Sequence, residues 1–223
     1  MTTAHALTAE GSPMSRSSAD RAYELVRDRL IMLDIRPGEP IDDNRLGDEL
    51  GFGRTPVREA LKRLERERLV VAFPRRGTFA TAVDMTDLAD ISEIRKQLEP
   101  TAAARAARTA SPEVRARLLV LADEIATIGD DDGPHELLHR DVEVHREIYR
   151  AAGNPYLEDI LVSLDAHATR IWCLFLDRLP GVCDHVREHA ALLRAIVDGD
   201  EDKAAALTLA HVEGFEQAIR KLL

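Results

Sequence analysis

Asp141 and His145 stand four residues apart, one helical turn, on a single face. His189 and His211 lie on two later stretches of helical period. His189 shares its stripe with Val186, Leu193 and Ile196, and His211 shares its stripe with Leu207 and Phe215. Polar side chains on apolar stripes point into a bundle, where each needs a partner. One carboxylate and three imidazoles converging there would suit zinc, nickel or another divalent ion. The same spacing recurs at His135 and His139 and at His185 and His189, and His167 and His5 fit no pattern. Spacing alone therefore leaves two readings open, a metal quartet or ordinary core and surface histidines.

A second chemistry sits between Gly53 and Leu64, in the run Gly-Arg-Thr-Pro-Val-Arg-Glu-Ala-Leu-Lys-Arg-Leu. Thr55 is a favourable N-cap, and Pro56 suits the first helical position, where a missing N–H costs nothing. Arg54 and Arg58 then place cations at the positive end of the helix dipole, where carboxylates are preferred. A helix built this way is suited to meeting an anion at its N-terminus, and DNA is the obvious candidate. The alternative, from charge alone, is a solvated basic face.

Charge distribution separates the chain into two parts. The whole sequence of 223 residues carries a formal charge of -10. Yet Gly51 to Ala80 holds eight basic residues (Arg54, Arg58, Lys62, Arg63, Arg66, Arg68, Arg75, Arg76) against Glu59, Glu65 and Glu67. The acidic excess lies after Val83. This asymmetry points to a basic reader joined to an acidic module.

The elements that must position these residues follow from periodicity. Residues 1–17 lack period and read as a mobile tail. A first helix is expected over about Ser18 to Asp34, on Ala22, Leu25, Val26, Leu30 and Leu33, and Arg36 to Pro40 reads as a turn. Asp42 or Asp43 can cap a second helix that Gly51 stops. The third helix is expected over about Pro56 to Arg68, burying Val57, Ala60, Leu61 and Leu64. Val70 to Phe73 and Thr78 to Thr81 flank Pro74-Arg75-Arg76-Gly77 as a hairpin. Three helices and a basic-tipped hairpin make a winged helix-turn-helix over 18–83. From 84 to 223, breaks at Ser111-Pro112, Gly129 to Pro134, Gly153-Asn154-Pro155, Pro180-Gly181 and Gly199-Asp200 mark about six amphipathic helices, an all-α bundle. The fold class expected is mainly α.

Bulk composition is that of a globular protein, 45% hydrophobic and 31% charged. No apolar run approaches a membrane span, and Met1 to Ser18 lacks the apolar centre of a signal peptide. Cys173 and Cys183 make no disulfide framework and read as reduced thiols of a cytoplasmic protein.

The string Arg54-Thr55-Pro56-Val57-Arg58-Glu59-Ala60-Leu61, then Leu69-Val70 and Arg76-Gly77-Thr78-Phe79, resembles the DNA-binding signature of GntR-family bacterial transcription regulators. The C-terminal part resembles the FCD ligand-binding domain of the FadR subfamily. Its matching pieces are Arg95-x2-Leu98-Glu99, Asp141-x3-His145, Asn154-x2-Leu157, Glu188-His189, Ala195-Ile196, Gly199-Asp200 and His211. The two resemblances together span about residues 18 to 220.

The resemblance implies a homodimer on a palindromic double-stranded operator, with the third helix in the major groove. It makes Arg54 and Arg58 base readers, each able to bond guanine O6 and N7. Thr55 and Arg76 become phosphate or groove contacts, and Gly77 lets the wing backbone approach DNA. Some family members carry arginine where Asn44 falls, with Arg45 one residue off, so a contact from either stays open. Many FCD domains bind a metal through an Asp-His-His-His set, and Asp141, His145, His189 and His211 fill all four positions. The implied cofactor is a divalent ion, zinc first and nickel second, and the implied effector a small carboxylate. Arg95 is a second candidate anchor for it, against a plain ion pair with Glu99. Asn154 reads as a helix cap. The expected protein is a ligand-responsive regulator, a repressor, and not an enzyme. Two alternatives are a metal-free relative sensing a lipid or CoA-linked molecule, and a metal-dependent hydrolase fused to a DNA reader. The second has no general-base motif such as H-E-x-x-H to support it.

Overall fold

A computed structural model describes residues 17–223. Most of the expected tail, His5 included, lies outside the described residues. Ser17, expected as its last member, instead caps the first helix. Its hydroxyl accepts from the Asp20 N–H at 3.1 Å, and the Asp20 carboxylate accepts from the Ser17 backbone N–H at 3.3 Å, a reciprocal capping box.

The chain divides into two compact units, one of residues up to Asp28 with Pro40–Phe79, the other of Arg29–Glu39 with Ala80–Leu223. In chain order the first elements are α1 (Ser18–Ile31), β1 (Pro40–Ile41), α2 (Asp43–Leu50), α3 (Arg54–Arg66), β2 (Val70–Phe73) and β3 (Gly77–Ala80). Helix α1 ends three residues before the expected Asp34. Leu33 adopts a left-handed φ of 61°, and the Ile35 N–H turns back to the Arg29 carbonyl at 3.1 Å. Helix α2 is capped by Asp42, whose side chain accepts from the Asn44 and Arg45 N–H groups, and Gly51 closes it at φ 72°.

Helix α3 buries Val57, Ala60, Leu61 and Leu64, as its stripe requires. Its start corrects the expected one. Gly53 occupies the N-cap with no side-chain bond, so Thr55 lies inside the first turn and caps nothing. Arg54 becomes the first helical residue. At the other end Arg68 is left-handed, φ 60°, and the Leu69 N–H returns to the Leu64 carbonyl, closing the helix before Arg68.

The hairpin is part of a three-stranded sheet of order β1-β3-β2, in which Pro40 pairs with Phe79 and Ile41 with Thr78 antiparallel. Strand β1 lies in what reads as a turn. A two-residue edge strand beginning with proline carries almost no sequence signal, because proline at such an edge forfeits no interior ladder bond.

The second unit holds six helices: α4 (Asp87–Thr109), α5 (Pro112–Thr127), α6 (Pro134–Ala151), α7 (Pro155–Cys173), α8 (Val182–Asp198) and α9 (Glu201–Arg220). The boundaries fall at the expected breaks except at the end of α7, which stops at Cys173, before a single 3-10 turn at Leu176–Arg178 and the expected break at Pro180-Gly181. Ser111, Asn154 and Asp200 cap α5, α7 and α9 through their side chains. Helix α4 packs along α9, α5 along α8, and α6 along α7, with α4 touching α6, α7 and α8 as well. Inward-facing positions of α4, α6, α7, α8 and α9 therefore share one core. Neither Cys173 nor Cys183 is in a disulfide.

One arginine ties two helix ends together. Arg115 donates through Nη1 to the Ile196 and Val197 carbonyls at 2.7 and 2.6 Å, and through Nη2 to Ala107 at 2.5 Å. These are C-terminal carbonyls of α8 and α4, at helix ends that run short of intrahelical donors, and the Ile196 carbonyl also accepts from the Gly199 N–H at 3.1 Å. Arg115→Ala is expected to destabilise the protein by roughly 3 kcal/mol, read by urea unfolding, since charge-assisted bonds contribute about 1.5–3 kcal/mol each and do not add fully. A loss below about 0.5 kcal/mol, the range of an ordinary surface substitution, would mean water serves these carbonyls equally well.

Candidate nucleic-acid interface and metal centre

In the first unit, α2, α3 and the sheet enclose a concave surface of about 810 Å³, lined by Asp43, Arg54, Arg58, Lys62, Arg76 and Gly77 among others. Arg54 and Arg58 lie one turn apart and are exposed, 59% and 61% at the side chain. Thr55 is exposed beside them. Asn44 and Arg45 reach the same surface, where Arg45 pairs with Glu49 at 2.9 Å.

Gly77 takes φ 95°, and a Cβ there would meet nothing within 4 Å. The hairpin thus needs glycine for its backbone conformation, and room beside it is already open. Arg76 places its guanidinium 5.7 Å from the Phe73 ring centroid. Not every basic residue faces outward to this surface. Arg63 pairs with Asp20 at 2.7 Å and stacks 3.9 Å from the Tyr23 ring, joining α3 to α1.

In the second unit the four expected ligands meet. Asp141 and His145 come from α6, His189 from α8 and His211 from α9, and all four are buried. One ligand atom from each lies within 4.8 Å of the others. His145 Nε2 is 3.8 Å from Asp141 Oδ2, and the His189 and His211 ring centroids are 4.1 Å apart.

Local partners aim the rings. His189 Nδ1 donates to the Val186 carbonyl at 3.1 Å, and His211 Nδ1 donates to Glu188 Oε2 at 3.1 Å. Both acceptors lack a proton to give, so each ring keeps its lone pair on Nε2. His145 Nδ1 meets the Tyr149 hydroxyl at 3.1 Å, with Glu99 Oε2 at 3.5 Å.

Two of the four groups retain a buried atom without a hydrogen-bond partner, Asp141 Oδ1 and His189 Nε2. Such atoms cost free energy unless something accepts them. Burial drives His145 and His211 well below the usual histidine range and His189 down to about 4, so the imidazoles are neutral near pH 7. Burial and the Asp165 charge push Asp141 up, partly offset by Arg95, so its carboxylate form calls for a cation close by. Neutral imidazoles, a carboxylate and unpartnered ligand atoms fit a divalent ion.

Arg95 reaches the same region but is held by protein carboxylates. It is buried on α4, ion-paired to Glu99 one turn on and to Asp165 of α7 at 3.4 Å. The Glu99 pairing is the one its spacing offered as the alternative to an effector contact. The space left among Arg95, Asp141, His145, Asp165, Trp172 and His211 is about 10 Å³, room for about one water.

Several residues here are absent from the sequence-based set. Tyr149 stands four after His145, a spacing that was available to read. His185 stacks on His211 at 3.9 Å between ring centroids, and His185, Glu188 and His211 form a second group of candidate ligand atoms. Burial holds His185 down to about 3. Asp165 has no local signal, since its partner is 70 residues away. His135 and His139 belong to neither candidate ligand group.

A three-helix unit with a wing and exposed arginines on its third helix, followed by an all-α unit, defines a winged-helix DNA-binding transcription regulator. Comparison with known proteins makes this specific. Residues 18–80 match the bacterial regulatory proteins of the gntR family, and residues 90–214 match the FCD domain. The Nta operon transcriptional regulator of Aminobacter aminovorans is 31% identical over 190 residues, covering 83% of this chain and 87% of that protein. The HTH-type transcriptional repressor RspR of Escherichia coli is 21% identical over 200 residues, covering 90% of this chain and 88% of that one. Among solved structures, E. coli McbR/YncC superposes with a TM-score of 0.80 at 20% identity, over 93% of this chain and 99% of that one, a likeness of fold. The chain belongs to the GntR family of transcription regulators, with an FCD domain as its C-terminal part. It is a regulator and not an enzyme. Among the described residues no helix is long and apolar enough to cross a membrane.

Proposed function

We propose that the protein is a cytoplasmic repressor that binds a palindromic operator as a homodimer and releases it in response to a small carboxylate. On this reading residues 18–83 hold DNA through Arg54, Thr55, Arg58, Arg76 and Gly77, and residues 84–223 sense the effector. The observation that carries it is the convergence of Asp141, His145, His189 and His211 with Asp141 Oδ1 and His189 Nε2 unpartnered. A bound divalent ion, zinc first, would supply coordination positions that carboxylate oxygens can occupy. Val186, Glu188 and Tyr149 aim the imidazoles, and Arg95, paired to Glu99 and Asp165, would have to exchange one of those partners to meet an effector carboxylate. The likeness to an operon regulator and to a repressor supports the regulatory direction.

The enclosed space of about 10 Å³ disfavours a lipid- or CoA-linked effector, which needs a long apolar channel. It also implies that the helices around it must part for any carboxylate to enter. An effector acts only through its differential affinity for the two arrangements.

The test starts from duplexes selected by the protein out of a randomised pool. Citrate, gluconate and acetate are then titrated against operator binding, with zinc-loaded and chelator-stripped protein. A shift of about 5–150-fold with one of these acids, in the loaded protein only, is expected for a coupling of about 1–3 kcal/mol. No response to any acid at any metal loading would sink the sensor reading. On the same duplexes Arg58→Ala should lose roughly 1–3 kcal/mol of discrimination at one base pair. Equal weakening on every sequence would make Arg58 a phosphate contact instead.

A further inference from the structure

Helix α3 carries no acidic residue in its first turn, where a carboxylate would be at home, but α2 provides one. Asp43 Oδ2 accepts a hydrogen bond from Arg54 Nε at 3.1 Å and lies 3.6 Å from Arg58 Nε. One carboxylate oxygen therefore holds both arginines by the same atom. Asp43 is 21% exposed at the side chain, beneath guanidinium groups that are 59% and 61% exposed. Capping of α2 does not explain it, because Asp42 performs that task. Among the described residues neither arginine has any other ion-pair or hydrogen-bond partner.

A guanidinium offers a side edge, through Nε and one Nη, and an end, through its two Nη groups. An acceptor at Nε occupies the side edge and leaves the terminal fork. That fork is what pairs end-on with guanine O6 and N7. Without the acceptor, two neighbouring arginines repel each other, splay, and can turn either edge to the nearest phosphate. Phosphate contacts raise affinity on every sequence and carry no base information. A negative charge under the pair works in the opposite sense. It lowers attraction to backbone phosphates while holding the forks ready for bases.

We propose that Asp43 is a specificity-determining positioning residue, one carboxylate that pins Arg54 and Arg58 by their Nε atoms so that both present terminal forks to the bases. The inference rests on reading Arg54 and Arg58 as base contacts. It makes Asp43 a residue that improves discrimination at the expense of general DNA affinity.

The test uses the full-length protein, its selected duplex and a scrambled duplex of equal length, with fluorescence anisotropy over a range of salt. Asp43→Asn is expected to bind the scrambled duplex more tightly and to lose about tenfold or more in the ratio of selected to scrambled affinity. Its log-affinity against log-salt slope on the scrambled duplex should steepen by about one, as one more arginine becomes available to phosphate. Asp43→Glu, which restores the charge, should recover most of the ratio, and circular dichroism verifies that each variant is folded. An unchanged ratio in Asp43→Asn, with both affinities rising in parallel, would make Asp43 a mere surface charge and overturn the proposal. Arg54→Ala and Arg58→Ala separate the two levels. If they leave discrimination intact, the base-reading assignment fails and the proposal falls with it. If they abolish it while Asp43→Asn does not, the proposal alone fails.

Discussion

Arg95→Ala is expected to lower the unfolding free energy by roughly 3–5 kcal/mol, the range for breaking a buried ion pair from one side. The reason is what would be left behind. Arg95 is 4% exposed, and Glu99 and Asp165, its two partners, are buried as deeply. Asp141 stands nearby, its carboxyl already pushed up by burial and by the Asp165 charge, and drawn down by Arg95. Truncation would leave buried carboxylates facing one another with their nearest cation gone. Urea unfolding measures the loss, and Glu99→Gln gives the complementary reading. It removes one negative charge while keeping a hydrogen-bonding side chain, so its cost should be clearly smaller. If Arg95→Ala cost under about 1 kcal/mol, as an exposed pair would, the Arg95–Glu99–Asp165 network would not behave as a buried ion pair.

The second large effect concerns metal. Chelator-stripped protein titrated with zinc to a hundredfold excess over its dissociation constant should gain about 2.7 kcal/mol. For a chain of this size that raises the thermal midpoint by roughly 5–10 °C. His189→Ala should abolish most of the gain, because among the four it removes the imidazole whose Nε2 is buried with no partner. Calorimetry with and without zinc, supported by elemental analysis, checks both statements. A midpoint indifferent to zinc, or an equal rise in the variant, would exclude the quartet as the binding site.

What was legible in the sequence, and what was not, follows from where the information lies. Breaks in the C-terminal half were readable because Ser111, Asn154, Gly199 and Asp200 act locally, through caps and turns within a few residues of themselves. The faces of α6, α8 and α9 were readable because helical spacing fixes which side chains point together. The Asp-His-His-His set needed the family resemblance, since His185 and His189 show the same spacing as Asp141 and His145. The start of α3 was misplaced because Thr55-Pro56 is a fair capping signal by itself, while Gly53 caps without a side-chain bond. The ion pairs of Asp165 and Asp43 were invisible for a different reason, although Asp43 reads as a possible cap of α2. Each aspartate acts on a partner in another helix, and no local pattern announces which helices will meet.

The apparent misfit at the head of α3 also changes meaning. Cations at a positive helix end look like a local fault when the helix is considered alone. Asp43 shows that the missing anion comes from α2, so the local rule is met by a neighbouring element.

Trp172 is the chain's one tryptophan, and it stands in the wall of the small cavity beside the quartet. Its ring lies 4.6 Å from His185 and 5.1 Å from Phe215, and His185 in turn stacks on His211. Indole emission depends on the polarity and charge of its immediate surroundings. The protein thus carries a single natural fluorophore within two aromatic contacts of a candidate ligand, with no second indole to dilute the signal. Events at the buried cluster have an optical reporter already built into the chain, and it needs no label.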